Sequence, residues 1–210
     1  MAPILSHKGK AAVRISIRGT AGHSSRPDLG RNAIHALASV LSEAVRQSER
    51  LEQADQNMLF APPYSTLQVG IVSGGVALNV ISEHARLDIE VRAVPGIEPS
   101  ALLQPVLAAA RALQARGFEV TTETISDYPG MALPAGSPLA ALVGDASDVA
   151  AVPAVSYGTE AGLFERAGIP AIICGPGDIA RAHKADEFIL TSELEDCRRM
   201  LLNVAAGLQG

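Results

Sequence analysis

The sequence predicts a mixed fold: an α+β sandwich of the ferredoxin-like kind, β-α-β-β-α-β, over residues 10–127, followed by an incomplete α/β segment over 128–210. Three observations predict it. Apolar residues alternate with polar ones at Val13, Ile15 and Ile17, at Leu67, Val69 and Ile71, and at Leu87, Ile89 and Val91, the period of half-buried strands. Over residues 31–54 and 99–116 the apolar residues recur instead at helical spacing. After Tyr128 comes a run of breakers, Pro129, Gly130, Pro134, Gly136 and Pro138, and then short helix and strand signals in alternation.

In the first strand Arg14, Ser16 and Arg18 take the face opposite Val13, Ile15 and Ile17. The first helix carries Ile34, Leu37, Leu41 and Val45 as its apolar stripe, while Glu43, Arg46, Glu49, Arg50 and Glu52 mostly take the other side. Ser73, Gly74 and Gly75 break the second strand. The third alternates with Arg86, Asp88, Glu90 and Arg92, so the two read as neighbours. A second helix opens at Pro99, presents Leu102, Leu103, Val106, Ala110 and Leu113, and is capped by Gly117. Pro105 lies inside it and kinks it or delays its start, because proline removes the bond back to Ala101. Phe118, Val120, Thr122 and Thr124 make the fourth strand.

Beyond residue 128 the expectation is a helix over 139–147, a strand over 151–156, a short helix over 161–167, a buried strand over 171–174 and a closing helix over 192–208. Two strands make a thin parallel sheet, so this segment reads as the end of a larger domain.

The composition bounds the function. With 210 residues, 48% of them hydrophobic, there is enough apolar material for a core. A net charge of −5 and no run of lysine or arginine argue against a nucleic-acid surface and favour a small-molecule partner. The uncharged stretch over 57–82 is broken by Pro62, Pro63 and several glycines, so no membrane span is expected. No basic and apolar leader follows Met1, which points to a cytoplasmic location. Cys174 and Cys197 have neither disulfide-scaffold nor CxxC spacing and read as free thiols, Cys174 as a buried one closing the run Ala171-Ile172-Ile173.

Chemistry is concentrated in two histidine-bearing loops. The first is Gly22-His23-Ser24-Ser25-Arg26-Pro27, leaving the first strand. Its glycine spacing does not make a nucleophile elbow, and Ser25, Asp28 and Asn32 would also serve as a helix-capping loop. The second follows Gly175-Pro176-Gly177 and places His183 beyond the carboxyl end of the strand over 171–174, where α/β sheets present ligand groups. His183 is a candidate metal ligand, with Asp186 and Glu187 near enough to orient the imidazole through its second nitrogen. The chain has no His-x-Asp triplet and no Glu-Glu pair from which a complete metal site could be assembled. His7, His35 and His84 read as structural.

Several motifs, taken in order, carry a resemblance: His7-Lys8-Gly9, Gly22-His23-Ser24-Ser25, Asn32-Ala33-Ile34, Tyr64-Ser65-Thr66-Leu67, Gly74-Gly75, Asn79-Val80-Ile81, and Asp88 through Arg92 to Pro95-Gly96. They resemble the lid or dimerisation domain of the M20 metallopeptidase family, nearest its acetylornithine deacetylase branch. Tyr157-Gly158-Thr159-Glu160-Ala161 and the His183 loop are similar to the end of the catalytic domain in the same family.

The resemblance implies a cytoplasmic hydrolase of arginine biosynthesis that cleaves an N-acyl amino acid amide, N-acetylornithine to ornithine and acetate, with two zinc ions activating water. Succinyl-diaminopimelate desuccinylase or another M20 amidohydrolase is the alternative, since a single arginine cannot fix the acyl amino acid. By the resemblance His183 is a zinc ligand, and His23 reaches the site of the opposite subunit of a homodimer joined through the lid. Asn79, Arg92 and Thr159 bind substrate, Arg92 with a bidentate grip. The His-x-Asp and Glu-Glu ligands of the family have no counterpart before His7, so the chain is expected to be truncated and inactive alone, or to serve as a dimerisation module.

Overall fold

Ala11, Val13, Ile15 and Ile17 are all buried, and Arg14 and Ser16 between them are half-exposed, so the first long strand has one face on a core and one turned away from it. The computed structural model describes residues 1–208. Its elements in chain order are β1 (Ser6–His7), β2 (Gly9–Arg18), β3 (Gly22–His23), α1 (Ala33–Glu52), β4 (Thr66–Gly74), β5 (Val80–Ile81), β6 (His84–Ala93), α2 (Pro99–Leu102), α3 (Gln104–Ala112), β7 (Glu119–Tyr128), β8 (Met131–Ala132), α4 (Pro138–Ser147), α5 (Ala161–Arg166) and α6 (Thr191–Gly207). They fall into two units, Lys8–Pro129 and Met1–His7 with the chain from Gly130.

In the unit Lys8–Pro129 the four long strands form an antiparallel sheet in the order β4-β6-β2-β7, the ferredoxin-like arrangement expected from the β-α-β-β-α-β pattern. Its core joins the buried strand residues Ile15, Ile17, Leu87, Ile89 and Val91 to Leu37, Val40, Leu103, Val106 and Leu113 from the helical layer. On α1 the buried stripe is Ala33, Ala36, Leu37, Val40, Ala44, Gln47 and Leu51. Ile34 and Val45, expected inside, are 43% and 52% exposed. Small alanines let the helix lie close to the sheet, which turns the bulkier β-branched pair to its flanks.

The second helix is divided where Pro105 enters. α2 and α3 are separate helices, a 3-10 turn over Leu113–Arg116 follows, and Gly117 ends it at φ 82°, a left-handed cap suited to glycine. On the polar face of the sheet, Arg14 donates from two nitrogens to the two oxygens of Asp88, each at 3.1 Å, and Arg86 donates to both as well. Hydrogen bonds from Arg86 and then Arg14 hold the Asp88 carboxyl well below the usual carboxylate range.

β4 is an edge strand. Its pairing with β6 slips between Val69 and Ile71, a bulge at Gly70 that leaves Ile71 49% and Val72 52% exposed.

In the other unit the residues before Lys8 run as an extended segment. Ile4 N–H donates to Ile173 O at 2.7 Å, Leu5 N–H to Val152 O at 3.1 Å, and β1 pairs with β8. Residues 151–156 and 171–174, expected as parallel strands, make only isolated bridges: Val152 and Val155 parallel to Ile4 and His7, and Ile173 antiparallel to Ile4. Short apolar runs become strands only beside a neighbour of matching length, and among the described residues each meets a few residues of the chain start. The helices expected over 139–147, 161–167 and 192–208 are present as α4, α5 and α6. α4 and α6 meet through buried Ala140, Val143 and Met200, with Asn203 Nδ2 donating to Ala146 O at 3.1 Å. Cys174 is half-buried, less enclosed than its apolar run suggests, and burial pushes its thiol up. No helix among the described residues is long and apolar enough to cross a membrane.

Candidate functional site

The chain leaves β2 at Arg18 and is tied down at once. Gly19 N–H donates to Glu83 O at 2.7 Å, and Thr20 and Arg31 exchange two backbone bonds of 2.9 Å. A Cβ on Gly30 would come within 3.0 Å of the Thr20 carbonyl, so glycine permits this close return. β3 then pairs with β5, Gly22 opposite Ile81 and His23 opposite Val80, and Ser24 N–H donates to Asn79 O at 3.0 Å. Two residues far apart in sequence, His23 and Asn79, are thus brought side by side, and both are exposed.

His23 is held at three points: by β3, by a turn in which Arg26 N–H donates to its carbonyl at 2.9 Å, and through its ring. Nδ1 accepts from Ser25 N–H at 3.2 Å and lies 2.7 Å from Ser25 Oγ. Ser25 therefore belongs to the histidine and not to the helix cap for which it was also a candidate. Asn32 is the cap of α1, its Oδ1 accepting from Ile34 and His35 N–H, and Asp28 pairs with Arg26 at 2.7 Å. Beside Asn79, Val76 is 89% exposed and Leu78 fully so, an apolar tip on the polar site.

Arg92 lies elsewhere. It stands opposite Lys10 near the far end of β6, and its Nε donates to Glu90 Oε1 at 3.0 Å. The strand from His84 to Arg92 spans about 26 Å at ~3.3 Å per residue. The His23 loop is anchored at the His84 end, so one sandwich does not bring Arg92 and His23 to a single site.

The remaining two candidates belong to the other unit. Thr159 Oγ1 accepts from Ala161 N–H at 3.1 Å at the start of α5 and lies 3.4 Å from Nε2 of His7. His7 is fully buried. His183 is exposed, with φ 60°, and Glu187 Oε2 accepts from its backbone N–H at 2.9 Å. The carboxylate thus organises the loop and does not orient the ring, contrary to the sequence expectation. Nor does His183 follow a parallel strand, because Ile173 is bridged antiparallel.

These donors do not by themselves complete a metal centre. Among the described residues no group of three or more His, Cys, Asp or Glu side chains is placed to hold an ion, and one exposed imidazole does not bind a metal firmly. The zinc pair expected from the family resemblance finds no ligand set among the described residues.

Two features of the site were missed in the sequence. The contact between Ser25 and the His23 ring had its signal in the His-Ser-Ser spacing, which permits a side chain to meet the backbone two residues on. The exposed Val76 and Leu78 had theirs in an apolar pair inside a glycine-led turn, a place where apolar residues seldom serve a core.

Comparisons with known proteins give the family and the fold. The peptidase dimerisation domain of the M20 family matches residues 5–117. An acetylornithine deacetylase of Myxococcus xanthus is 31% identical over 99% of this chain and 55% of its own length. An acetylornithine deacetylase of Proteus mirabilis is 32% identical over 95% of this chain and 51% of its own. The chain spans about half the length of the curated relatives it matches. Among solved structures, an M20 family metallo-carboxypeptidase of Sulfolobus solfataricus has the same fold, with a TM-score of 0.72 at 16% identity over 97% of this chain and 59% of that one. A tripeptidase of Staphylococcus aureus gives 0.71 at 19% over 97% and 52%. With the match covering more than half its length, the chain belongs to the M20 peptidase dimerisation-domain family.

Proposed function

We propose that the chain is the dimerising, histidine-presenting part of an amidohydrolase that cleaves N-acyl amino acids, with N-acetylornithine as substrate. The observation that carries this reading is the β3 and β5 ladder, which sets His23 beside Asn79 on an exposed loop of a dimerisation domain. Hydrolysis adds water across the amide, and negative charge develops on the acyl oxygen. A hydrogen-bond donor already aimed at that oxygen stabilises the charge without reorganising, and this is the role assigned to the His23 ring. The Asn79 side chain, with donor and acceptor groups, holds polar groups of the substrate next to it.

The second copy joins through β4, whose edge offers unpaired backbone groups together with Ile71 and Val72. His23 would serve the partner's site. Arg92, at the other end of its strand, would grip a substrate carboxylate at a different site from the one that His23 of the same chain serves. Thr159 would contact substrate, and His183 would supply one ligand to a metal whose other ligands lie outside the described residues. A cytoplasmic setting and a place in arginine biosynthesis belong to the same reading.

A chimera tests it: this chain joined to the part of the Myxococcus xanthus relative that lies outside the match, assayed for ornithine release from N-acetylornithine. The chain alone, with or without zinc, is expected to stay at background, and the chimera to turn over at about 1 per second or faster. A folded, dimeric chimera inert toward acetyl and succinyl amino acids alike would overturn the reading.

A further inference from the structure

The contacts of His23 determine more than its position. A backbone N–H can only donate, so the Nδ1 atom that receives the Ser25 N–H at 3.2 Å presents a lone pair there. The Ser25 hydroxyl, 2.7 Å from the same nitrogen, is then the donor in that contact as well. With Nδ1 occupied as an acceptor, the neutral ring carries its proton on Nε2, which has no partner among the described residues. We infer that Ser25 is a positioning residue: it selects the tautomer of His23 in which Nε2–H is a free donor on an exposed ring.

The loop is built for this contact. The turn closed by Arg26 N–H on His23 O folds residues 23–26 so that Ser25 returns to the ring it follows by two positions. The Arg26 and Asp28 ion pair and the 3-10 turn over Pro27–Leu29 brace the chain just beyond it. A histidine meant to donate to a developing oxyanion must have its proton on the free nitrogen, because the other tautomer presents a lone pair and repels the charge. The inference rests on the proposed role of His23 for its functional meaning, while the tautomer itself is a property of the chain that is measured without any turnover.

The test is nitrogen NMR of the imidazole in the whole chain, at a pH where the ring is neutral, for the native protein, Ser25→Ala and Ser25→Thr. The native ring is expected to show an unprotonated Nδ1 and a protonated Nε2. Losing the hydroxyl removes one of the two donors, and the Nδ1-protonated fraction should rise about fivefold, the effect of one ordinary hydrogen bond. Ser25→Thr keeps the hydroxyl and should restore the native pattern. Because the backbone donor survives in both variants, a folded chain is expected throughout, and the unchanged sheet signals would report it. A native ring protonated on Nδ1, or a Ser25→Ala ring indistinguishable from the native one, would overturn the inference. If the tautomer is as stated while His23→Ala leaves hydrolysis by the chimera intact, the inference stands and the proposed role of His23 falls.

Discussion

Replacing His23 with alanine in the chimera is expected to slow hydrolysis of N-acetylornithine about 10²–10³-fold, the range found when one preorganised oxyanion donor is removed. The loss should fall on kcat, with KM little changed, because the hydrogen bond strengthens only as charge develops on the acyl oxygen. The substitution removes an exposed ring from a two-residue ladder whose backbone pairing persists, so the fold should not suffer. Steady-state kinetics check this against an unfolding curve of the same variant. A rise in KM at constant kcat would assign His23 to ground-state binding instead. A loss under tenfold would remove it from the chemistry.

The largest effect on stability is expected at Leu87. Its side chain is fully buried, and its residue stands opposite Ile15 on β2 and Val72 on β4, in the central part of the sheet under the helical layer. Leu87→Ala removes buried apolar atoms and leaves a cavity, at a cost of about 2–5 kcal/mol. Leu78→Ala is the control. That side chain is fully exposed, and its loss should change stability by no more than about 0.5 kcal/mol. Urea denaturation of the two variants measures the difference, and equal midpoints would mean that the core described for the sandwich is wrong.

Where the strands of the sandwich have one polar face, the sequence showed them plainly: Arg14 and Ser16 between Val13, Ile15 and Ile17, and Asp88 and Glu90 between Leu87, Ile89 and Val91. Pro105 and Gly117 also marked real boundaries, because each acts through its own backbone and needs no distant partner. The buried stripe of α1 departs from hydropathy at Ile34 and Val45, since hydropathy ranks them above the alanines that let the helix sit close to the sheet. The runs over 151–156 and 171–174 misled for a different reason. Their apolar content satisfies a buried strand, but pairing depends on neighbours that local sequence does not name.

The site was legible as residues and not as an arrangement. His23 and Asn79 could each be singled out, yet their adjacency depends on the long-range pairing of β3 with β5, each only two residues long. The separation of Arg92 from His23 likewise follows from the antiparallel register of β2 and β6. Neither is a local property of the chain.

Dimerisation through β4 would carry His23 to a subunit boundary. Sedimentation equilibrium of the chain over a concentration series tests it, with Ile71→Lys beside the native protein. The native chain should be a dimer, consistent with an interface that hides at least about 1,000 Å² in total. A lysine on the bulged, half-exposed edge should shift it toward monomer without changing the unfolding curve. A native chain that stays monomeric at high micromolar concentration, or an Ile71→Lys variant that dimerises as well as the native one, would contradict dimerisation through β4.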